Sequence, residues 1–357
     1  MTLSISSHGL RLGGGIERYA LTLVRGLHER NIRPTVIAKL IDRNLPEAAW
    51  CDVLQVRAGW LPSKWRDHYF DWRLRRLKQG GALWPLVACN QTGGADVAIC
   101  GSTHPGYLSA MRKPAGWPDR LKIGLERAHL TRSTVIVAHS QGMSDEVQRH
   151  YGIDAGKIRL LYPPVDGRRF APVGPDERAR LRRALGLPDD CAVFVLASTG
   201  HRRKGLDLLA SYFATTTLPV CLALCGRPPD TASRHIRYLG YRADIESVFR
   251  AADFTVVASR YEPFGLVGIE SVLCGTPVLA ARGVGCAEVI RPPALFDFEA
   301  DDTASLHHAV EHAVARWRDG SHRIDEPLDV LDYDPSVAAH VDALLHLVDE
   351  VKRSRVA

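Results

Sequence analysis

The sequence predicts an α/β protein built from two parallel-sheet, Rossmann-like units in tandem. Three observations predict this. β-rich apolar runs alternate with helix-compatible stretches, a proline-rich segment beyond residue 160 interrupts the alternation, and the alternation then starts again. The length agrees, because 357 residues exceed a typical single domain and 46% hydrophobic content supplies a proper core.

The first unit opens with the short strand LSIS, a glycine loop and the helix ERYALTLVRGLHER, whose Tyr19, Leu23 and Leu27 recur at helical spacing. RPTVIAKL predicts the next strand, ADVAIC and STVIVAHS two more, and QGMSDEVQRHYG the helix after them. LYPPVDGRRFAPVGPDERARLRRALGLP, rich in proline and glycine, reads as a linker leading into a helix. The second alternation runs AVFVLAST, a helix from KGLDLLASYF, PVCLALCG, IRYLGY, the helix ADIESVFRAA, FTVVAS, a loop and helix in SRYEPFGLVGIESVLCG, and TPVLAA. The helix in that loop region stops at Gly275, with Pro277 just beyond. SVAAHVDALLHLVDEVKRS closes the chain as an amphipathic helix with a basic end, suited to cap a domain. The expected domains are therefore 1–165, with the closing helix 335–357 packing back on it, and 166–334. Ligands of such sheets bind at the carboxyl ends of the strands.

Charge is uneven. Residues 1–165 hold 23 Lys and Arg against 13 Asp and Glu, whereas the remainder holds 23 against 27, so the first half carries +10 of a net +6 and the second −4. That asymmetry favours an acidic ligand or an anionic surface on the first half. The eight cysteines show no C-x2-C pair and no matching histidine cluster, so neither a zinc site nor a redox pair is suggested. No signal peptide and no run near the ~18 apolar residues of a membrane span is present, which predicts a cytoplasmic protein not integral to a membrane.

Four stretches carry chemistry. In SRYEPFGLVGIESVLCGTPVLA, a loop through Gly265 enters a helix near Leu266, presenting unpaired N–H groups and a positive helix end to a phosphate. Glu262 and Glu270 flank that site and suit sugar and ribose hydroxyls; as a bland alternative they are a solvated loop residue and a helix-dipole partner. In STGHRRKGLDLL, Arg202, Arg203 and Lys204 precede a helix at a strand end, where a diphosphate could lie, or they form a solvated charged face. GGGIERYALTL lacks the full dinucleotide-binding glycine spacing but offers close backbone approach and helix amides. Its Glu17 is either a first-turn dipole partner or an acceptor-binding residue. In ICGSTHPGYLS, His104 follows a strand end; a lone histidine there is structural or a ligand contact.

The stretch EPFGLVGIESVLCGTPVLA resembles the E-x7-E donor signature of retaining glycosyltransferases of family 4, which have the GT-B fold of two Rossmann-like domains facing across a cleft. The RKG form at 203–205 is closest in look to lipopolysaccharide core glucosyltransferases. The resemblance implies that Glu262 holds the donor hexose and Glu270 the ribose, with Gly265, Leu266 and the adjacent Val267 near sugar and phosphate. It implies that Arg203 and Lys204 take the diphosphate, since the arginine many relatives carry five residues earlier is here Thr199. Gly14 and Gly15 would approach the diphosphate from the other domain, and His104 would contact the donor sugar near the reacting carbon. Tyr238, in IRYLGY, is expected near the base.

The implied activity is retaining transfer of a hexose from a nucleoside diphosphate sugar, a UDP-sugar by preference, to a glycan or lipid-linked acceptor in lipopolysaccharide or surface glycan synthesis. No further cofactor is expected, and no D-x-D pair at a credible strand end asks for a bridging metal. Residues 57–78 hold seven Lys or Arg and five aromatics, so this stretch either meets an anionic membrane at the inner face or packs internally. A sugar-nucleotide epimerase or phosphorylase of the same architecture competes with this reading, as does a nucleotide-sugar sensor. A nucleic-acid-binding protein has only the basic charge in its favour.

Overall fold

The computed structural model describes residues 3–229 and 236–356; residues 1, 2, 230–235 and 357 of the expected domains lie outside that set. The chain forms two compact units, one running to Pro164 and resuming at Ser336, the other Val165–Pro335.

In the first unit the strands are β1 Ser4–Leu10, β2 Thr35–Ile41, β3 Asp52–Gln55, β4 Leu86–Ala88, β5 Val97–Cys100, β6 Val135–Ala138 and β7 Ile158–Leu160. They form one parallel sheet in the order β3-β2-β1-β4-β5-β6-β7. Helices cover the sheet because its strands are apolar on both faces, β4, β5 and β6 being buried throughout. The helix Gly15–His28 lays Tyr19, Leu23 and Leu27 into the core. The closing helix Val337–Val356 adds Val341, Leu344, Val348 and Val351 to that same core, so the last residues of the chain complete the first unit. Its attachment is also polar: His340 Nδ1 donates to the Tyr162 carbonyl at 2.9 Å, and the Tyr19 hydroxyl donates to His340 Nε2 at 2.8 Å. Gly26 is required at the crossing, since a Cβ there would stand 2.7 Å from Val341.

The second unit contains β8 Ala192–Ser198, β9 Val220–Gly226, β10 Ile236–Gly240, β11 Phe254–Val257, β12 Val278–Ala281 and β13 Leu295–Phe298, all parallel, in the order β10-β9-β8-β11-β12-β13. Its core is aromatic, with Phe194 of β8 stacked on Phe254 of β11 at 4.9 Å. Both sheets reverse direction of winding once, between β1 and β4 in the first and between β8 and β11 in the second. Such reversals leave a crevice outside the carboxyl ends of the two strands concerned.

Four strands were not expected from the sequence: DVLQ, LVA, IRL and LFDF. Each is only three or four residues long, too short to show a period by itself, and each forms on the hydrogen bonds of a neighbouring parallel strand. The helix Ser63–Gln79 divides the basic aromatic stretch by face. Phe70 and Leu74 are buried in a small cluster with Ile37 and Leu86, whereas Trp65 and Trp72 are exposed. No helix among the described residues is long and apolar enough to cross a membrane.

Candidate functional site

In the second unit the loops after β8 and β11 interlock. Past β8 the chain makes one helical turn, His201–Lys204, then Gly205 in the left-handed region at φ 72° before the helix Leu206–Thr215. Gly205 is obligatory: a Cβ would lie 2.1 Å from the Ala258 carbonyl oxygen, so only glycine lets this loop press onto the end of β11. The approach is locked by the Arg260 amide, which donates to the Arg203 carbonyl at 2.9 Å, and by the Arg260 guanidinium, which holds Asp207 and Asp301.

The consequence is an ion cluster at the switch point. Glu262 Oε2 accepts from Lys204 Nζ, from Arg203 Nη1 at 3.0 Å and from Ser259 Oγ at 3.3 Å. Arg203 Nη1 also donates to the Tyr261 carbonyl at 2.9 Å. Burial alone would raise the Glu262 pKa, but the Lys204 and Arg203 charges and their hydrogen bonds outweigh it and hold the carboxyl below its ordinary range. Glu262 is thus an ionised, acceptor-only group. All its contacts fall on one oxygen, and Oε1 carries no hydrogen bond from the described residues.

Gly265, with φ 91°, turns the loop into the helix Leu266–Leu273. Glu270 lies on that helix, buried at 2% exposure. Leu266 and Val267 form its first turn and are half-buried. Two further glycines fit the loop to its neighbours: at Gly268 a Cβ would meet Cys286 Sγ at 2.5 Å, and at Gly285 the Pro263 carbonyl at 2.1 Å. Tyr238 stands on β10, 43% exposed, with its hydroxyl donating to the Gly226 carbonyl at 2.9 Å, so its ring is fixed at the same carboxyl edge two strands away.

In the first unit the loop after β1 is exposed, with Gly14 and Gly15 at the start of the helix Gly15–His28. Neither has a left-handed φ, and a Cβ on Gly15 would meet nothing within 4 Å, so the unit's own packing does not demand these glycines. Glu17 folds back over the loop, close enough that a Cβ on Gly13 would touch it at 3.2 Å. His104 begins the helix His104–Ala110 after β5, capped by Thr103. Its Nε2 donates to Asp119 Oδ1 at 2.8 Å, and its backbone amide to Glu126 Oε2 at 2.9 Å. The hydrogen bond from His104 pulls the Asp119 carboxyl below its ordinary range, helped by the Gly116 amide.

Asp119 is the residue sequence reading missed. In GWPDR it looks like a helix-start acid, and its Oδ2 does take that role, but nothing local reveals that Oδ1 reaches a histidine fifteen residues earlier. The cation pair and Glu262, treated from sequence as separate phosphate and sugar walls, are in direct contact. Among the described residues, no group of three or more His, Cys, Asp or Glu is arranged to hold a metal ion.

These features can be set beside known proteins. Residues 13–169 match the model of Glycosyltransferase Family 4, and residues 190–316 that of Glycosyl transferases group 1. A probable transglycosylase of Burkholderia thailandensis is 43% identical over 358 residues, covering 99% of each chain. A D-inositol 3-phosphate glycosyltransferase of Catenulispora acidiphila is 32% identical over 53% of this chain and 49% of its own. The fold is similar to that of WaaG, a glycosyltransferase involved in lipopolysaccharide biosynthesis, with TM-score 0.74, 17% identity and coverage of 98% of this chain and 95% of that one. It is equally similar to Anabaena HepE, solved in complex with UDP and glucose, with TM-score 0.74, 17% identity and 98% and 99% coverage. The two-sheet architecture is therefore GT-B, and with both halves matched and a relative 43% identical along its length, this chain belongs to the family 4, group 1 glycosyltransferases and is a glycosyltransferase.

Proposed function

We propose that the chain is a retaining, metal-independent hexosyltransferase that takes its hexose from a UDP-sugar and delivers it to a lipid-linked or surface glycan acceptor of the lipopolysaccharide type. The observation that carries this reading is the one-sided use of Glu262: Oε2 is held by Lys204, Arg203 and Ser259, and Oε1 is left for hydroxyls of a sugar.

On this reading the ion cluster does two jobs. It keeps Glu262 ionised and oriented, so it accepts hydrogen bonds from the hexose without donating a proton. It also holds Arg203 and Lys204 where a departing diphosphate gathers charge, and the amides opening the helix Leu266–Leu273 add their partial positive charge. Glu270 takes the ribose hydroxyls, and Tyr238 lies by the base. From the first unit, Gly14 and Gly15, which carry no Cβ of their own, let backbone amides approach the diphosphate. His104 has its Nε2 committed to Asp119, so Nδ1 is the nitrogen that meets the donor sugar beside the reacting carbon. The acceptor hydroxyl attacks on the side the phosphate leaves, which retains the anomeric configuration, and Glu17 helps to hold the acceptor.

The acceptor class rests on charge and on one helix. The +10 of the first half and the exposed Trp60, Trp65 and Trp72, among arginines that stack on Trp72 at 5.3 and 5.9 Å, suit an anionic lipid surface at the inner membrane face.

Isothermal titration of UDP-glucose, UDP-galactose, GDP-mannose and ADP-glucose tests the donor, and NMR of the anomeric proton of the product tests the stereochemistry. Binding of a UDP-sugar in the presence of chelator, abolished by Lys204→Ala, supports the reading. Binding of none, metal-dependent turnover, or an inverted product overturns it.

A further inference from the structure

The second unit has a further hollow at the opposite edge of its sheet. It has a volume of about 440 Å³ and is walled by Arg178, Arg182 and Arg183 of the helix Pro175–Leu185, by His322 and Arg323, and by Asp253 at its floor. Asp253 immediately precedes β11, whereas Glu262 follows it, so a strand of roughly 13 Å, at about 3.3 Å per residue, separates the hollow from the donor cluster. The volume lies within the range of small-molecule sites, roughly 300–1,000 Å³.

The charge on its walls is unbalanced at depth. Asp253 is 1% exposed and fully used: Oδ1 accepts from Arg178 at 2.5 Å and His322 at 3.2 Å, Oδ2 from Arg182 at 3.0 Å and the Val193 amide at 2.8 Å. One buried carboxylate thus faces three guanidinium groups. Of the other acids of the wall, Asp189 accepts from Arg182 Nε at 3.1 Å while standing out in solvent, and Asp325 is exposed, so salt screens both. Arg323 has no carboxylate partner among the described residues; it is tied to the carbonyls of Ala252 and Cys274 at 3.1 and 3.0 Å and to Thr276 Oγ1. Burial, followed by the neighbouring Arg178 charge, pushes the Arg323 pKa down to about 10.

Donors are left over as well. Arg178 bonds only through Nη2, and its Nε is buried without a partner among the described residues. His322, its side chain only 8% exposed, spends its Nε2 proton on Asp253. Arg183, exposed at the rim, makes no ion pair among the described residues. Surplus guanidinium charge and spare guanidinium N–H groups in a planar fork are the complement of a tetrahedral oxyanion.

We propose that this hollow binds a small phosphate-bearing molecule, a phosphate monoester or phosphate itself, at a site separate from the donor cluster. Arg178, Arg183 and Arg323 grip the phosphate oxygens, and the remaining volume takes the organic part of a monoester. Arg323 also holds the Cys274 carbonyl at the far end of the helix whose first turn begins at Gly265.

The test is thermal unfolding and isothermal titration of the full chain with inorganic phosphate and with glycerol 3-phosphate, each against potassium chloride at matched ionic strength. The expected result is saturable stabilisation that survives Lys204→Ala and weakens about tenfold or more in Arg183→Ala, the loss of one charge-assisted contact. Arg178→Lys, which retains the charge beside Asp253 but removes the spare Nε, weakens it likewise. Tighter binding of glycerol 3-phosphate than of phosphate identifies a monoester as the ligand; equal binding identifies phosphate. No saturable effect beyond chloride, or one lost in Lys204→Ala and kept in Arg183→Ala, overturns the proposal.

Discussion

Each end of β11 leads to one carboxylate surrounded by cations, Asp253 buried and Glu262 half-buried, and they differ in what those groups have left to give. At the amino end all four contacts to Asp253 are shared between its two oxygens, and one of them is a backbone amide of the neighbouring strand. That acid is part of the frame: it joins the helix Pro175–Leu185 to β8 and β11. At the carboxyl end Glu262 is held through one oxygen only, by side chains on two loops pressed together at Gly205. The same ingredients serve as a joint when both lone-pair sets are used, and as a binding group when half remain open.

The largest expected contrast follows from that difference. Asp253→Asn leaves Arg178 and Arg182 without their counter-charge and is expected to lower stability by about 3–5 kcal/mol in urea unfolding. Donor affinity measured on the fraction still folded should be unchanged. Loss of donor binding without loss of stability would reverse the two roles. Lys204→Ala should do the opposite: a fall in kcat/KM of about 10²–10³, as for removal of a group stabilising developing charge, with a midpoint shift small beside that of Asp253→Asn.

Acid sharpens the same comparison. Burial acts to raise the Asp253 pKa, but the hydrogen bond from His322 and the Arg182 and Arg178 charges outweigh it and hold the carboxyl at about 2. A carboxyl depressed in the fold stabilises above its unfolded pKa of about 4 and loses that contribution as pH falls from there towards 2. The wild-type protein should lose about 2–3 kcal/mol over that window from this group, and Asp253→Asn should show a correspondingly flatter acid limb. Parallel acid limbs in the two proteins would remove Asp253 from the frame.

Gly205→Ala probes how the loops meet. With φ 72° and the Ala258 carbonyl 2.1 Å from a Cβ, the loop must back away from β11, carrying Lys204 from Glu262. A loss of about 1–3 kcal/mol in stability, from the strained φ and the displaced contact, together with weakened donor binding, is the expected outcome. Donor affinity equal to wild type would show that the approach at Gly205 does not set the cluster. The smallest effect is expected outside both edges, at the helix Ser63–Gln79. Trp65→Ala with Trp72→Ala should leave folding intact, both rings being exposed, and reduce co-sedimentation with anionic vesicles at low salt. Equal sedimentation of the double variant would break the membrane assignment.

Much of this was legible beforehand. Alternating apolar and helical runs are a local property of the chain, so both parallel units and the closing helix could be read from periods alone, and the glutamates, glycines and cations of the second unit lie in contiguous stretches beside strand ends. VAIC, VIVA, FTVV and VLAA, though no longer themselves, stand in extended β-rich apolar runs and could be read, whereas the short strands DVLQ, LVA, IRL and LFDF could not. Nor could the burial of Glu270 or the reach of Asp119 to His104.

By itself, then, the sequence determined the fold class, the family signature and which residue types stand at the carboxyl edges of the sheets. Only the tertiary structure decided which charges meet. Lys204 and Glu262 are fifty-eight residues apart, and Arg178 and Asp253 seventy-five, yet each pair is in contact. The physical reason is that a parallel sheet places side by side strands distant along the chain, and at its winding reversal β8 and β11 become neighbours whose loops nothing in either stretch alone could have matched.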